Sequence, residues 1–497
     1  MRKAKWSVRL VPLFFLPVLA ISGPFPSSQQ PAPDARLSAP PDGAIIELVR
    51  GEGYFNEPSI AVNSNDPQQL IAAFQSNATA AYSRDAGKTW TVAKGTAPSD
   101  YRVSGDVSVS FDNRGHAFLC YIAFDKLGTE NYWARGATRN GIFVRRSKDG
   151  GRTWDKNAAT IVAQRTEPGI PFEDKPYIVA DYNAHSPFAG NLYVGWTEFT
   201  LTKTVILFSR SNDGGATWSS PKEISTHEGL PRDDTGAVEG FTGAVGADGT
   251  LYVAWADGSE IAFATSTDGG QSFSPSHAIL NAAPSYFALS GAYRANGFPQ
   301  IGIDPRSNRL FVSWADYRNG DLDVFVSTST DRGKQWSEAT RVNSDPLHNG
   351  ADQFFQWMAV DPVDGSANLV FYDRRSDPEN RKCNLVLARS TDSGHTFANY
   401  LWTSKAFDPQ GDFFGDYNGI AAYDGRVYGI WGRFSRPDED AEKSPGRAET
   451  SPPKKVTPGD GKQETENSNF TEKPESQQMP KRKIQVVESG VADFSQR

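Results

Sequence analysis

Cysteine and histidine are scarce in this chain of 497 residues. Its only cysteines are Cys120 and Cys383. Two cysteines cannot build a disulfide framework or a cysteine-rich zinc site. The six histidines are scattered, and no pair has the spacing of metal ligands. We therefore expect neither a metal nor a cofactor.

An excess of basic residues is also missing. The chain has 51 Lys and Arg against 59 Asp and Glu, which gives a formal net charge of −8. Nonspecific binding to nucleic acid depends mainly on cationic attraction, so nucleic acid is not an expected partner. A long apolar run is absent too. The run at 10–21 is shorter than the roughly 20 residues that a membrane-spanning helix needs, so no membrane span is expected.

The N-terminus has the parts of a secretory signal peptide. A cationic stretch, Met1–Arg9, precedes that apolar run, and small residues follow around Ser22. We predict that residues 1–22 are removed and that the mature protein is secreted or periplasmic. Residues 23–43 are rich in Pro and Ser and are expected to be a linker.

The C-terminal part changes composition after Phe434. Residues 436–483 are dense in Pro, Glu, Lys, Ser and Thr, which predicts a disordered charged tail. Residues 484–497 regain β character. They could return to the domain as an outer strand, or they could be a frayed end.

One short motif dominates the region between these tails. It reads Ser-x-Asp-x-Gly-x-x-aromatic, and its copies follow one another at intervals of 55 to 64 residues. Such a period indicates a repeat architecture. The Asp can accept backbone N–H bonds across a hairpin turn, and the Gly can take a positive φ. The six copies begin at Ser83, Ser147, Ser211, Ser266, Ser329 and Ser390.

Each copy follows two or three alternating apolar strands, so a repeat unit is a four-stranded blade. Radially arranged blades form an all-β propeller, here over residues 44–435. A seventh strand pair, 416–423 and 425–431, has no motif after it. The runs 44–49 and 484–494 could complete that blade. Seven blades are favoured, with six as the alternative.

The motif resembles the Asp-box, or BNR, repeat of the sialidase superfamily, and the resemblance extends from about residue 53 to 434. It implies a β-propeller with a glycan-facing site. Sialidases carry an arginine triad, an acid/base Asp, and a Tyr nucleophile paired with a Glu. Tyr417 falls on the nucleophile position, and Glu239 lies near the place of the Glu. The triad is not matched, because Asn56 and Asp257 stand where arginines are expected, and the loop 75–79 has no carboxylate for the acid/base.

Propeller geometry places the candidate site residues on one face. The first strand of a blade begins, and the second ends, on the face opposite the motif turns. Carboxylates and tyrosines there could act as acid, base or nucleophile on a sugar, and arginines could bind a substrate carboxylate. The catalytic candidates are Tyr417, Glu239, Asp373, Asp174 and Glu57, and the substrate-binding candidates are Arg318, Arg374, Arg375, Asp352, Asp416 and Tyr372.

The densest group of candidates is 372–375, which ends a sixth-blade strand and is expected beside the seventh blade. Adjacent arginines on a short loop favour a nearby anion. The alternative is structural, with Asp373 and Arg374 in an ion network with Asp352 or Asp416. Such networks resemble active sites, and the sequence leaves both interpretations open.

Two functions fit these features. The first is a secreted glycoside hydrolase acting on an anionic sugar. The second is a noncatalytic propeller that binds a glycan or a protein through the same face. A structural role in an exported complex, with the charged tail as adaptor, is a third and weaker interpretation. The expected partner is a glycan or glycoconjugate, and the sequence does not indicate the oligomeric state.

Overall fold

The computed structural model describes residues 37–93, 96, 101, 103–125, 139–165, 171–233, 235–282, 286–436, 439 and 483–496. The predicted signal peptide, most of the predicted linker and nearly all of the predicted charged tail lie outside these residues. The described chain forms seven four-stranded antiparallel sheets and one two-stranded hairpin. The fold is therefore all-β, and the sheets are named blades 1 to 7 in ring order.

In blades 1 to 6 the strands run outward from the centre in chain order. Blade 1 has β2 (Ser59–Val62), β3 (Leu70–Phe74), β4 (Thr79–Ser83) and β5 (Thr91–Val92); blade 2 has β6 (Val103–Phe111), β7 (Ala117–Phe124), β8 (Arg139–Ser147) and β9 (Ala159–Arg165); blade 3 has β10 (Phe172–Ala180), β11 (Leu192–Phe199), β12 (Thr204–Ser211) and β13 (Lys222–Glu223); blade 4 has β14 (Val238–Val245), β15 (Leu251–Asp257), β16 (Glu260–Ser266) and β17 (His277–Asn281).

Along the chain, the hairpin of β18 (Tyr286–Phe287) and β19 (Ala295–Asn296) lies between blades 4 and 5. Blade 5 has β20 (Gln300–Asp304), β21 (Arg309–Asp316), β22 (Asp323–Ser329) and β23 (Thr340–Arg341); blade 6 has β24 (Gln353–Val360), β25 (Ala367–Asp373), β26 (Asn384–Ser390) and β27 (Ala398–Leu401); blade 7 has β28 (Gly419–Tyr423), β29 (Arg426–Phe434), β30 (Ile484–Asp493) and β1 (Ala44–Glu52). The first strands contact one another in ring order, and β28 closes against β2. This is a seven-bladed β-propeller, as the sequence favoured.

Blade 7 is completed from both ends of the domain. Strand β30 pairs with β29 on one side and with β1 on the other. Both spare segments are used, but the outermost strand is β1, whereas the C-terminal segment takes the third place. Residues before β1 also bond to the outer strands of blades 6 and 7. The amides of Leu401 and Asp493 donate to the carbonyls of Ser38 and Pro41 at 2.9 and 3.0 Å.

The six motif turns share one hydrogen-bond pattern. In each, the Ser hydroxyl donates to the Asp carboxylate at 2.8 Å. The Gly amide donates to the same Ser oxygen at 2.8 to 2.9 Å. The Gly has φ between 78° and 89°. In blade 5, a Cβ on Gly333 would lie 2.5 Å from the ring of Phe263 in blade 4. Backbone conformation and close packing both require glycine there.

Seven buried apolar clusters hold adjacent blades of the described chain together. Trp196, Trp255, Trp314 and Trp431 are fully buried in four of them. They occupy equivalent positions near the ends of the second strands. These tryptophans therefore pack between blades. Within the described part of the chain, no helix has the length and apolar character needed to cross a bilayer.

Candidate functional site at the propeller axis

A repeated backbone distortion brings polar side chains to the axis. Strands β6, β10, β14 and β24 each carry a β-bulge near their start. The bulges of β6 and β10 place Asp106 and Lys175 at φ 46° and 51°, and Glu57, just before β2, has φ 49°. Positive φ costs a non-glycine residue roughly 1–2 kcal/mol, and bulges are common where a side chain must be re-aimed near a site.

Six carboxyl groups meet on the face opposite the motif turns, and we call them the axial acid cluster. Two basic residues, Lys175 and Arg294, lie among them. Most of the cluster is buried, but Asp106 and Asp233 keep partial exposure, so the cluster opens to solvent on their side. The six are Glu57, Asp106, Asp174, Asp233, Glu239 and Asp416.

Burial and mutual repulsion keep protons on part of this cluster. Burial, and then the neighbouring Asp106 carboxyl, raise the pKa values of Glu57 and Asp174 well above their ordinary range. Burial, and then the charge of Asp233, raise the pKa of Glu239 from 4.5 to about 8. The cluster can therefore hold donatable protons at neutral pH.

One phenol joins two of the carboxyl groups. The hydroxyl of Tyr286, on β18, lies 2.6 Å from Asp233 Oδ1 and 3.0 and 3.1 Å from the two oxygens of Glu239. Asp233 belongs to the connection before blade 4, and Glu239 begins β14. The phenol therefore lies between two carboxyls that differ in exposure, since Glu239 is 2% exposed and the Asp233 side chain 19%.

Arg294 links the hairpin to the opposite side of the ring. Its Nη1 donates to Asp233 at 2.9 Å, its Nε donates to Asp416 Oδ1 at 2.9 Å, and its Nη2 also contacts Asp416. The guanidinium carbon lies 4.8 Å from the ring centre of Tyr286. Arg294 thus fixes two acids and the phenol in one arrangement.

Aromatic rings close the axis beneath the cluster. Tyr417 stacks on Trp357 with ring centres 5.2 Å apart. These rings, with Tyr177 and Phe298, line a cavity of about 20 Å³, which has room for one water molecule. Burial raises the pKa of Tyr417 well above 10. Lys175 and Tyr417 line this cavity and also belong to the site, so the acid cluster adjoins an aromatic-lined cavity.

Five of the eleven predicted site residues lie at this cluster: Glu57, Asp174, Glu239, Asp416 and Tyr417. The other predicted acid, Asp373, is buried at the end of β25, where Arg375 Nε donates to it at 2.8 Å. Tyr372 is also buried and donates its hydroxyl to the carbonyl of Gly432 in blade 7. The hydrogen bonds of Asp373 and Tyr372 join them to blades 6 and 7, and none goes to the cluster.

The predicted arginines have structural partners. Arg318 Nε donates to Asp316 at 2.9 Å. Arg374 is fully buried, donates to the carbonyl of Asn380 at 2.8 Å and lies 4.0 Å from the carboxylate of Asp352. Arg374 therefore lies near Asp352, whereas Asp373 pairs with Arg375. The proposed role of the arginines in substrate binding stays a prediction.

Five residues of the site are not among the predicted catalytic and substrate-binding residues: Asp106, Lys175, Asp233, Tyr286 and Arg294. The last three belong to connections between blades, whereas the analysis considered only strand ends. One signal was present. The segment 282–299, between the last strand of blade 4 and the first of blade 5, is long and contains four aromatic residues.

Among the described residues, no group of three or more His, Cys, Asp and Glu side chains is arranged to hold a metal ion. The basic groups of the cluster explain part of this. Asp233 and Asp416 direct oxygens at Arg294, and the charge of Lys175 acts on Glu57 and Glu239. The cluster is best treated as a set of proton-exchanging and hydrogen-bonding groups.

The fold is a seven-bladed β-propeller with six motif turns. No model of a known protein family matches the sequence, and no curated protein matches it. Similar solved structures include the Hadza microbial sialidase Hz136, with 16% identity over 73% of this chain and 70% of that one at a TM-score of 0.42. The leech intramolecular trans-sialidase has 15% identity over 66% of each chain at 0.43. The α-L-arabinofuranosidase Arb93A from Fusarium graminearum has 14% identity over 68% of this chain and 91% of that one, also at 0.43.

Proposed function

We propose that the protein is a glycoside hydrolase and that its reaction takes place at the axial acid cluster. The observation that carries the proposal is the hydroxyl of Tyr286 shared by Glu239 and Asp233. It holds two carboxyl groups close together in unlike surroundings. Glycoside hydrolysis needs such a pair, one group as acid and the other as nucleophile or base.

The separation of the pair favours retention of configuration. Both carboxyls contact one oxygen, at 2.6 and 3.0 Å, so their nearest oxygens lie within about 6 Å of each other, and retaining enzymes separate their carboxyls by about 5–5.5 Å. An inverting enzyme needs room for a water molecule between them. The spacing here matches direct attack by a carboxylate.

The surroundings assign the two roles. Glu239 is buried and its pKa of about 8 keeps it protonated at neutral pH, so it can donate a proton to the glycosidic oxygen. Asp233 is more exposed and accepts a charge-assisted bond from Arg294 at 2.9 Å, which favours its carboxylate. Asp233 would attack the anomeric carbon as the bond to the leaving oxygen breaks. Glu239, now deprotonated, would take a proton from the water that releases the sugar from Asp233.

This assignment differs from the tyrosine nucleophile that the resemblance gives to Tyr417. Burial holds the phenol of Tyr417 neutral, and its ring is engaged by Trp357 on one side and by Lys175 on the other. The phenol in contact with Glu239 is that of Tyr286. A tyrosine mechanism at Tyr417 stays a prediction, and a Tyr417→Phe variant distinguishes it from the carboxylate pair.

The test is release of the aglycone from a panel of aryl glycosides by the purified protein. Glu239→Gln and Asp233→Ala should each lower kcat at least 100-fold, the usual size of acid/base contributions. Asp257→Asn is the matched control, since this acid ends β15 on the same face and pairs with His227 instead. It should keep the activity of the parent.

Azide gives a sharper test of the roles. In Asp233→Ala, azide can replace the missing nucleophile, so activity should return with formation of a glycosyl azide of inverted configuration, whereas in Glu239→Gln azide can only displace Asp233 from the glycosyl intermediate and should give a glycosyl azide of retained configuration. Loss of turnover in Tyr417→Phe alone would move the chemistry to Tyr417. Absence of turnover on every glycoside would favour the noncatalytic glycan- or protein-binding propeller.

We also propose that the enzyme acts outside the cytoplasm, on the support of the predicted signal peptide. The expected mature N-terminus is Gly23, directly after the small-residue site. Mass spectrometry of the protein recovered from the medium or periplasm checks this. An intact Met1 on the recovered protein would contradict it.

A further inference from the structure

Lys175 carries an ammonium group without a direct polar partner. The residue is 9% exposed, and its pKa stays raised because Asp416 and Glu57 outweigh the effect of burial. Its backbone amide is bonded to Asp174. Its Nζ, however, donates no hydrogen bond to any residue that the structure describes, and no described carboxylate oxygen lies within ion-pair distance of it.

Two rings hold this ammonium in position. Nζ lies 4.5 Å from the ring centre of Phe298 and 4.5 Å from that of Tyr417. Tyr417 is in turn stacked on Trp357. Cation–π contacts restrain the group but leave its N–H donors without oxygen acceptors. Lys175 also lines the aromatic cavity described above, so the two rings hold the ammonium beside that cavity.

Lys175 is mostly buried, but its Nζ is not among the fully enclosed side-chain atoms of the described chain that lack a partner, so the ammonium can reach a ligand. A charged group in such a place that has no acceptor from the protein needs an explanation. Taking the sugar-binding site of the proposed function as given, we propose that Lys175 donates to a hydroxyl oxygen of the substrate and that the bound sugar is neutral. The lysine is then a substrate-binding residue, and its acceptor arrives with the ligand.

The charges around Lys175 favour a neutral sugar over an anionic one. Glu57, Asp174 and Glu239 keep protons, but the other three acids of the axial acid cluster still outnumber its two basic residues, and Arg294 is already bonded to Asp233 and Asp416. A substrate carboxylate would meet these acids there. A sugar hydroxyl can accept from the ammonium and donate to a carboxyl oxygen at the same time, which satisfies both kinds of group. Asp416 and then Glu57 act most strongly on the charge of Lys175, and because Asp416 is bonded to Arg294, Glu57 is the candidate to accept.

Binding without cleavage provides the test. Calorimetry on the Glu239→Gln variant would use methyl glucoside, galactoside, arabinofuranoside, glucuronide and sialoside as probes, because methoxide is too poor a leaving group to depart without the general acid. We expect a neutral glycoside to bind more tightly than the glucuronide or the sialoside. Adding Lys175→Met, which keeps the length and removes the charge, should weaken that binding about 10- to 100-fold, the worth of a hydrogen bond to a charged group.

Lys88→Met is the matched control, because Lys88 is an exposed lysine in the motif turn of blade 1, on the opposite face. It should leave binding unchanged. Tighter binding of the glucuronide or sialoside than of every neutral probe would overturn the inference, as would unchanged binding in a folded Lys175→Met protein. If that variant does not fold, the ¹⁵N shift of Lys175 Nζ in the Glu239→Gln protein replaces it, and no change on adding the tightest neutral probe would also overturn it.

Failure of the proposed function gives a different result. Neutral glycosides that bind through Lys175 but are never cleaved by the parent protein would refute the hydrolase and keep the lysine inference. Cleavage that does not depend on Lys175 would do the reverse. The two measurements therefore separate binding from chemistry at the same site.

Discussion

Replacing Glu239 with glutamine should make the protein more stable in alkaline solution, although it removes the proposed general acid. The carboxyl of Glu239 is 2% exposed and contacts Tyr286 at 3.0 and 3.1 Å. A glutamine amide has nearly the same shape as the protonated acid and can accept the same hydrogen bond. It cannot lose a proton, and this difference is what the experiment measures.

The magnitude follows from the pKa. Burial and Asp233 raise the pKa of Glu239 from 4.5, its ordinary value, to about 8. The folded state thus binds this proton more tightly than the unfolded state, so stability falls as the pH rises from about 4.5 to about 8. At about 1.4 kcal/mol per pH unit, the loss through this group is on the order of 5 kcal/mol. Glu239→Gln should escape that loss.

Urea denaturation at pH 5 and at pH 9 checks this. At pH 5 the variant and the parent should agree within about 1 kcal/mol, and at pH 9 the variant should be more stable by several kcal/mol. Glu338→Gln is the control, because Glu338 is exposed, and it should follow the parent at both pH values. If Glu239→Gln loses as much stability as the parent between pH 5 and 9, Glu239 does not hold its proton in the folded protein and the assignment of the general acid fails.

Three further predictions use the same protein. Hydrolysis should slow above about pH 8 as Glu239 loses its proton, and a pH–rate profile whose alkaline limb is unchanged by Glu239→Asp would contradict this. Gly333 has φ 84°, and a new Cβ there would lie 2.5 Å from a neighbouring ring, whereas Gly350 has φ 77° and open space. Gly333→Ala should therefore lower the free energy of unfolding by about 1–3 kcal/mol more than Gly350→Ala does. Equal urea midpoints for the two variants would count against the packing explanation. Glu488→Gln should cost about 3 kcal/mol, because buried Arg433 donates to Glu488 at 2.5 Å and would lose the charge of that partner, and a midpoint unchanged in urea would show that Glu439, which also accepts from Arg433 at 3.0 and 3.1 Å, suffices.

The propeller could be predicted because its signals are local and repeated. Each motif turn is built within eight residues, and its Ser, Asp and Gly make the same bonds in every copy. The closure of blade 7 could also be predicted, because a strand pair without a fourth-strand turn leaves partners unfilled. The order of the added strands could not, since β1 and β30 have similar composition and only their pairing decides which is outermost.

The candidate site could be predicted only in part. Glu57, Asp174 and Glu239 stand at the starts of first strands, and propeller geometry brings such positions to the axis whatever the loops do. Tyr286 and Arg294 reach the axis through the hairpin that connects blades 4 and 5 along the chain and contacts β24 of blade 6. The path of such a connection depends on long-range contacts, and neither periodicity nor spacing reveals it.

A missed repeat explains why the arginines of blades 5 and 6 resembled a binding site. Asp316 and Arg318 end the second strand of blade 5, and Asp373 and Arg375 occupy the same places in blade 6. In both pairs the Arg backbone amide and Nε donate to the Asp, two residues earlier. A local pair that recurs in successive blades is more typical of a scaffold than of a single site, as with the motif turns.

The same construction accounts for the strain at the axis and for the chemistry proposed there. Bulges at the starts of first strands turn acidic side chains toward the axis, where water is scarce and like charges are close. Such carboxyls either pair with a cation or keep their protons. Asp233 and Asp416 pair with Arg294, whereas Glu239 keeps its proton to about pH 8. Glu239 as proton donor and Asp233 as carboxylate therefore lie side by side at neutral pH. Holding them there costs stability, and burial in the seven interblade clusters offsets that cost.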